Sequence, residues 1–209
     1  MAPPTDGRTL RERKRERTRR ALIDAATDLF ERGGYDGTTV AEIAAHAEIG
    51  TRTFFGYFAG KEDLLFPDAA ARVAAAVDTI ASRRPDDGPA ELLLRALSEV
   101  AGTETGMVDR MTALRMRLIQ TVPAVRGRAL QLLLDAQREI ARHLHAAFPD
   151  RLDAVDAFAL VGAFVGAVVG AVQAVLDDPP AATVDQRVLT DRVREATARA
   201  LGPWLNHRA

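Results

Sequence analysis

Residues 33–61 read GGYDGTTVAEIAAHAEIGTRTFFGYFAGK, and the order of breakers, caps and apolar positions in this stretch decides the fold. Gly33-Gly34 stops the helix that precedes it. Thr39, followed three residues later by Glu42, has the form of a capping box, in which hydroxyl and carboxylate each satisfy a backbone N–H of the other residue. Val40, Ile43 and Ala47 then share one face of a short helix over 39–47, and Ala44 is small enough to let a second helix cross closely. Glu48-Ile49-Gly50 makes the turn, with Ile49 expected to point inward. A second short helix over 51–58 sets Phe54 and Phe58, four residues apart, against the first. Thr51, Arg52, Thr53, Phe55, Gly56 and Tyr57 are left for its outer face and edges.

Two short helices joined by a tight turn form a helix-turn-helix, and the same pattern also occurs as a plain corner inside a helical bundle. The outward chemistry favours DNA. Arg52 can reach a guanine edge with two parallel hydrogen bonds, while Thr51 and Thr53 offer hydroxyls to phosphates or bases and methyls to thymine. Tyr57 carries a hydroxyl suited to a phosphate, and Lys61 stands at the start of the next helix, beside backbone N–H groups that favour an anion.

Upstream, a helix over about 10–32 presents Leu22, Ala25, Ala26, Leu29 and Phe30 on one face. Its start is strongly basic: residues 1–20 hold eight Arg and Lys against three acidic side chains, whereas the whole 209-residue chain has a net charge of −1. Such local asymmetry fits a polyanion contact or a self-paired, solvated helix start. Downstream, prolines and glycines separate helices expected at 61–84 (with Pro67 able to shorten or kink it), 90–101, 105–122, 124–148, 152–176 and 184–205. The architecture is therefore all-α, with about nine helices. It divides into a disordered tail over 1–8, a helix-turn-helix domain over 9–60 and a helical bundle over 61–209.

Combined, the motifs Ala21-Leu-Ile-Asp-Ala-Ala, Leu29-Phe30, Gly34-Tyr35, Thr38-Thr39-Val40, Ile43-Ala44 and Thr53-Phe-Phe-Gly-Tyr-Phe-Ala-Gly-Lys-Glu-Asp-Leu64 resemble the DNA-binding domain of the TetR family. The resemblance implies a homodimer whose recognition helix enters the major groove of a palindromic operator in double-stranded DNA. It also implies that Thr39, Thr51, Arg52, Thr53, Phe55, Tyr57 and Lys61 occupy DNA-contacting positions. Three residues depart from the family pattern: Glu48 replaces a turn glycine, Phe55 a tyrosine and Gly56 a larger side chain. Operator preference is therefore not transferable from relatives.

In the bundle, residues 157–176 are almost uncharged, which raises a membrane reading. Acidic residues at both ends and the Ala/Gly content argue instead for a buried soluble helix and no membrane partner. Gly162, Gly166 and Gly170 recur every four residues, a stripe suited to close helix approach. With Val193 and Trp204 of the following helix they form the expected dimer seam, since the resemblance implies that the last two helices pair with those of a second copy. The middle helices would then hold a small apolar or amphipathic effector, with Met107, Met111, Leu114, Arg115, Leu118, Leu134 and Phe158 as pocket candidates. Arg115-Met-Arg-Leu-Ile and Pro123-Ala-Val-Arg resemble the ligand domain of mycofactocin-locus regulators, which implies acyl-CoA-like ligands.

The chain has no cysteine, so thiol chemistry and disulfides are excluded, and the polar start fits a cytoplasmic location. No cofactor or nucleotide motif is present, and His143 and His145, two residues apart, do not form a chelating pair on a helix. An enzyme in a helical bundle is thus the weaker alternative. A closer rival is a DNA-binding protein without an effector.

Overall fold

The computed structural model describes residues 9–101, 110–177 and 186–205. These form two compact units, Met1–Pro67 and Asp68–Ala209. Among the described residues the chain is helical with no strand. Met107, one of the pocket candidates, and the tail over 1–8 lie outside the described residues.

The first unit contains α1 (Leu10–Gly33), α2 (Val40–His46) and α3 (Thr51–Phe54), followed by a 3-10 turn over Lys61–Leu65. Helix α1 starts on a capping box formed by Thr9 and Glu12. It ends where Gly34 takes φ 75° and donates its N–H to the Phe30 carbonyl at 3.1 Å. That conformation strains any residue with a Cβ. Gly37 has a different reason to be glycine, because a Cβ there would stand 2.6 Å from the Gly33 carbonyl oxygen. Leu22, Ala25, Ala26 and Phe30 of α1 are buried, as are Ile43, Ala44, Phe54, Phe58, Leu64 and Leu65. The 61–65 turn packs on α1, so this unit extends to Pro67.

Two sequence expectations need correction here. The recognition helix was expected to run to Phe58, but regular helix stops at Phe54 and the chain continues in tight turns. Gly56 N–H donates to the Thr53 carbonyl and Tyr57 N–H to that of Phe54. The helix expected over 61–84 is two pieces, the 3-10 turn and α4 (Ala69–Ala81). Pro67 separates them because it has no N–H to donate and forces the preceding residue out of helical conformation.

The second unit continues with α5 (Pro89–Ala101), α6 (Arg110–Thr121), α7 (Pro123–Ala147), α8 (Ala154–Asp177), α9 (Gln186–Ala200) and α10 (Gly202–Leu205). Helix α8 packs between α7 and α9, α4 packs on α5 and α7, and α6 packs on α7. Its apolar core includes Leu92, Leu93, Leu144, Leu160, Val161 and Leu201, each at 0% exposure. The helix expected over 184–205 breaks at Leu201. The α4–α5 turn is clamped by Asp87, which accepts from the Arg84 N–H at 2.7 Å and from Arg95 at 2.9 Å. These two donors hold the Asp87 carboxyl below its ordinary range.

Helix α8, expected to be a buried soluble helix with its glycine stripe at a dimer seam, is largely uncovered within one chain. It is long and apolar enough to cross a membrane, yet only 28% of its most apolar window is buried within one chain. Val155, Phe158, Gly166, Val169 and Gly170 are all exposed, and a Cβ added at Gly162, Gly166 or Gly170 would meet nothing within 4 Å. Val193, expected at the dimer seam, is instead at 0% exposure in the core of its own chain. It lies four residues from buried Leu189 and from buried Thr197, on the inner face of α9. Trp204 is half-buried and packs against the same core.

Candidate nucleic-acid interface

The site begins with the capping box that the sequence pattern predicted. Thr39 N–H donates to Glu42 Oε2 at 2.8 Å, and the Glu42 N–H donates to Thr39 Oγ1 at 3.2 Å. The Thr39 hydroxyl also donates to Glu42 Oε2 at 2.8 Å, so its proton is taken up inside the cap. The Thr39 N–H, and then its hydroxyl, hold the Glu42 carboxyl below the usual range. Thr39 is exposed, but its first task is to start α2.

The turn between α2 and α3 places Glu48 at φ 56°, the only non-glycine residue with positive φ among the described residues. An L-residue in this region costs about 1–2 kcal/mol, which glycine avoids. The departure from a turn glycine therefore leaves the turn geometry in place and stores strain in it. Beside the turn, Glu48 and His46 line a cleft of about 460 Å³ with Lys14, Arg17, Asp24 and Asp28 of α1. Ile49, expected to point inward, is half-buried.

Helix α3 has four residues, far too few to be stable alone. Phe54 anchors it at 0% exposure, with the Phe58 ring 6.0 Å away and the Phe55 ring edge-on at 5.3 Å. With Phe54 inside, Thr51, Arg52 and Thr53 are all exposed. Arg52 makes no hydrogen bond or ion pair with the described residues, so its guanidinium is available to an incoming partner. Phe55 is 56% exposed, which leaves a bare aromatic face on the outside of the segment. Gly56 follows the regular helix, so its cost in helix propensity does not arise; a Cβ there would stand 3.2 Å from the Thr53 carbonyl oxygen.

Lys61 occupies a different setting from the expected one. Its ammonium donates to the carbonyls of Tyr35 at 2.6 Å and Thr38 at 2.8 Å and lies 4.2 Å from the Tyr35 ring centre. It therefore braces the 34–38 loop through carbonyls rather than sitting among N–H donors, and one of its three N–H groups remains for a phosphate. Burial, and then the neighbouring Glu62 carboxylate, push the Tyr35 phenol above its ordinary value. Two arginines of α1 were seen in the sequence only as part of a basic run. Arg15 lies over the Tyr57 ring at 5.8 Å and Arg19 over the Phe58 ring at 5.7 Å. Their four-residue spacing was visible, but the crossing that brings α1 to these rings was not.

Residues 22–66 match the family described as bacterial regulatory proteins, tetR family. The chain is also 31% identical over 146 residues to the HTH-type transcriptional regulator TcmR of Streptomyces glaucescens, covering 68% of this chain and 65% of that relative's length. Residues 22–66 are thus a TetR-family DNA-binding segment. The fold of the chain is like that of solved TetR-family regulators. It matches Thermus thermophilus FadR, a TetR-family transcriptional repressor solved in complex with lauroyl-CoA, at a TM-score of 0.58 and 20% identity. That match covers 91% of this chain and 97% of FadR. The SmeT–triclosan complex matches at a TM-score of 0.56 and 16% identity, over 88% of this chain and 90% of SmeT. The family match takes in all of α2, α3 and the 61–65 turn, and it begins at Leu22, partway along α1.

The second unit divides the pocket candidates. Leu114 and Leu118 are buried and Met111 and Arg115 half-buried, with Arg115 donating to Thr112 Oγ1 at 2.9 Å. Leu134 is 49% and Phe158 45% exposed, so neither lines an enclosed chamber within one chain. Helical periodicity placed them on apolar faces without telling which faces the chain itself covers. Among the described residues no group of three His, Asp or Glu side chains is arranged to hold a metal ion.

The strain at Glu48 yields a direct test. Glu48→Gly should stabilise the protein by about 1 kcal/mol and raise Tm by roughly 2–4 °C in a thermal melt. A lower or unchanged Tm would show that the turn is not strained.

Proposed function

We propose that the protein is a sequence-specific DNA-binding transcriptional regulator. It acts in the cytoplasm as a homodimer on a palindromic operator and is released from it by a small ligand with an apolar part. The observation that carries this reading is the exposed Thr51-Arg52-Thr53 edge standing on the buried Phe54. A free guanidinium on a rigid base can pair with a guanine edge, while Thr51, Thr53 and Tyr57 bond the backbone and Phe55 packs on sugar or on a thymine methyl. The functions in the relatives' names support it: TcmR is a transcriptional regulator and FadR a repressor.

Dimerisation is supported by the apolar face of α8 that its own chain leaves uncovered. Val155, Phe158, Gly166 and Val169 share that side of the helix with the other two stripe glycines. A second copy is the natural cover, and small residues would let the two backbones approach closely. Two recognition segments must lie about 34 Å apart to read successive major grooves. A ligand that changed their separation, with a coupling of ~1–3 kcal/mol, would alter operator affinity about five- to 150-fold. Met111, Leu114, Arg115 and Leu118 on α6 are the favoured contacts, with Arg115 for an acidic group. Lauroyl-CoA on FadR and triclosan on SmeT illustrate the ligand chemistry: a substantial apolar part on a polar or charged head.

Two variants test the proposal. Arg52→Ala should lower the preference for a duplex selected from a random library over a scrambled duplex by about five- to 150-fold, the worth of one bidentate base contact. Equal loss on both duplexes would remove Arg52 from base reading. In sedimentation, Gly166→Leu should convert a dimer to monomers without loss of helix content, since a side chain at Gly166 meets nothing in its own chain. A normal dimer would place the seam elsewhere.

A further inference from the structure

Two arginines one turn apart on α1 lie against aromatic rings at the end of the recognition segment, and their surroundings differ. Arg19 lies over the Phe58 ring and also donates from Nη2 to the Pro67 carbonyl, so it is engaged twice inside the unit. Arg15 lies over the Tyr57 ring, 5.8 Å from its centre, is exposed, and makes no hydrogen bond or ion pair with the described residues. A guanidinium attracted to a ring by its charge keeps its N–H donors for another partner. The acidic residues nearest in sequence are engaged elsewhere. Glu12 accepts the Thr9 N–H in the helix cap, and Glu16 pairs with Arg20 at 3.3 Å.

Tyr57 supplies the platform. It is half-buried and follows Phe54 through a backbone hydrogen bond of 2.9 Å, so its position depends on the same anchor that orients Arg52. The ring therefore holds Arg15 beside the exposed face of the recognition segment. Arg15 also precedes the residues of the family match, 22–66, so that match assigns it no role.

We propose that Arg15 is a phosphate-binding residue of the DNA interface, taking a backbone phosphodiester next to the bases met by Thr51–Thr53, and that Tyr57 is its positioning residue. This rests on the DNA-binding reading above. The planar fork of the guanidinium matches two phosphate oxygens, and a guanidinium already held over a ring loses less freedom when it makes that pair. The contact carries no base information. It should therefore strengthen binding to every duplex alike.

The test uses the full-length chain, the duplex that the wild-type protein selects from a random library, and a scrambled duplex, titrated across a series of salt concentrations. Arg15→Ala should weaken binding to both duplexes by the same factor, about eightfold near 0.1 M salt, and flatten the slope of log K against log salt by about 0.9. In a Tyr57→Phe background, which keeps the ring, Arg15→Ala should still cost about eightfold. In a Tyr57→Leu background it should cost much less, because the guanidinium is no longer held in place. An unchanged slope for Arg15→Ala, in a protein that still discriminates the two duplexes, would overturn the phosphate contact and leave the DNA-binding reading standing. Equal losses in the Phe and Leu backgrounds would overturn the role of Tyr57. A wild-type chain that prefers no duplex would overturn both this inference and the function on which it rests.

Discussion

Phe54 is wholly withdrawn from solvent, and the direction of every outward side chain on the recognition segment follows from that burial. Helix α3 has four residues and cannot hold its own shape in water. Its orientation comes from one aromatic side chain sunk into the first unit, with the Phe58 ring 6.0 Å away. Truncating a buried phenylalanine costs about 3–5 kcal/mol, more than any cap or surface pair in this unit contributes. A local device such as the Thr39–Glu42 cap sets where α2 begins. The aromatic anchor sets what the segment after it presents.

Much of this unit was legible in the sequence because its signals are local. The Thr39–Glu42 spacing, the Gly33-Gly34 stop and the Phe54–Phe58 interval each describe one turn of chain, and the structure places each as the pattern implied. The end of α3 was not sharply legible: Gly56 weakens helix there without fixing where the backbone leaves it, and regular helix ends at Phe54. Pro67 was visible as a breaker, but the two separate pieces on either side of it depend on Leu64 and Leu65 being drawn into the first unit.

The second unit shows the limit of periodicity more sharply. An apolar stripe says that a helix face needs cover without saying what covers it. Val193 lies inside its own chain, while Phe158 and Leu134, equally apolar, lie outside. The stripe on α8 was legible as a seam, and its glycines face open space within their own chain. That difference links the fold to the proposed dimer: the residues that found no partner within one chain are the ones a second copy would cover. Charge behaves similarly. The run of arginines in α1 is uniform in sequence but divides in the structure, with Arg19 hydrogen-bonded inside the unit and Arg15 exposed over the Tyr57 ring.

Hydrogen–deuterium exchange of the full chain, with and without the duplex it selects, tests most directly whether the anchored segment is the DNA-reading surface. The account predicts slowed exchange on DNA binding at the α2 start near Thr39 and across 50–57, with the outer face of α7 unaffected. Protection confined to the second unit, with 50–57 exchanging as in the free protein, would contradict it.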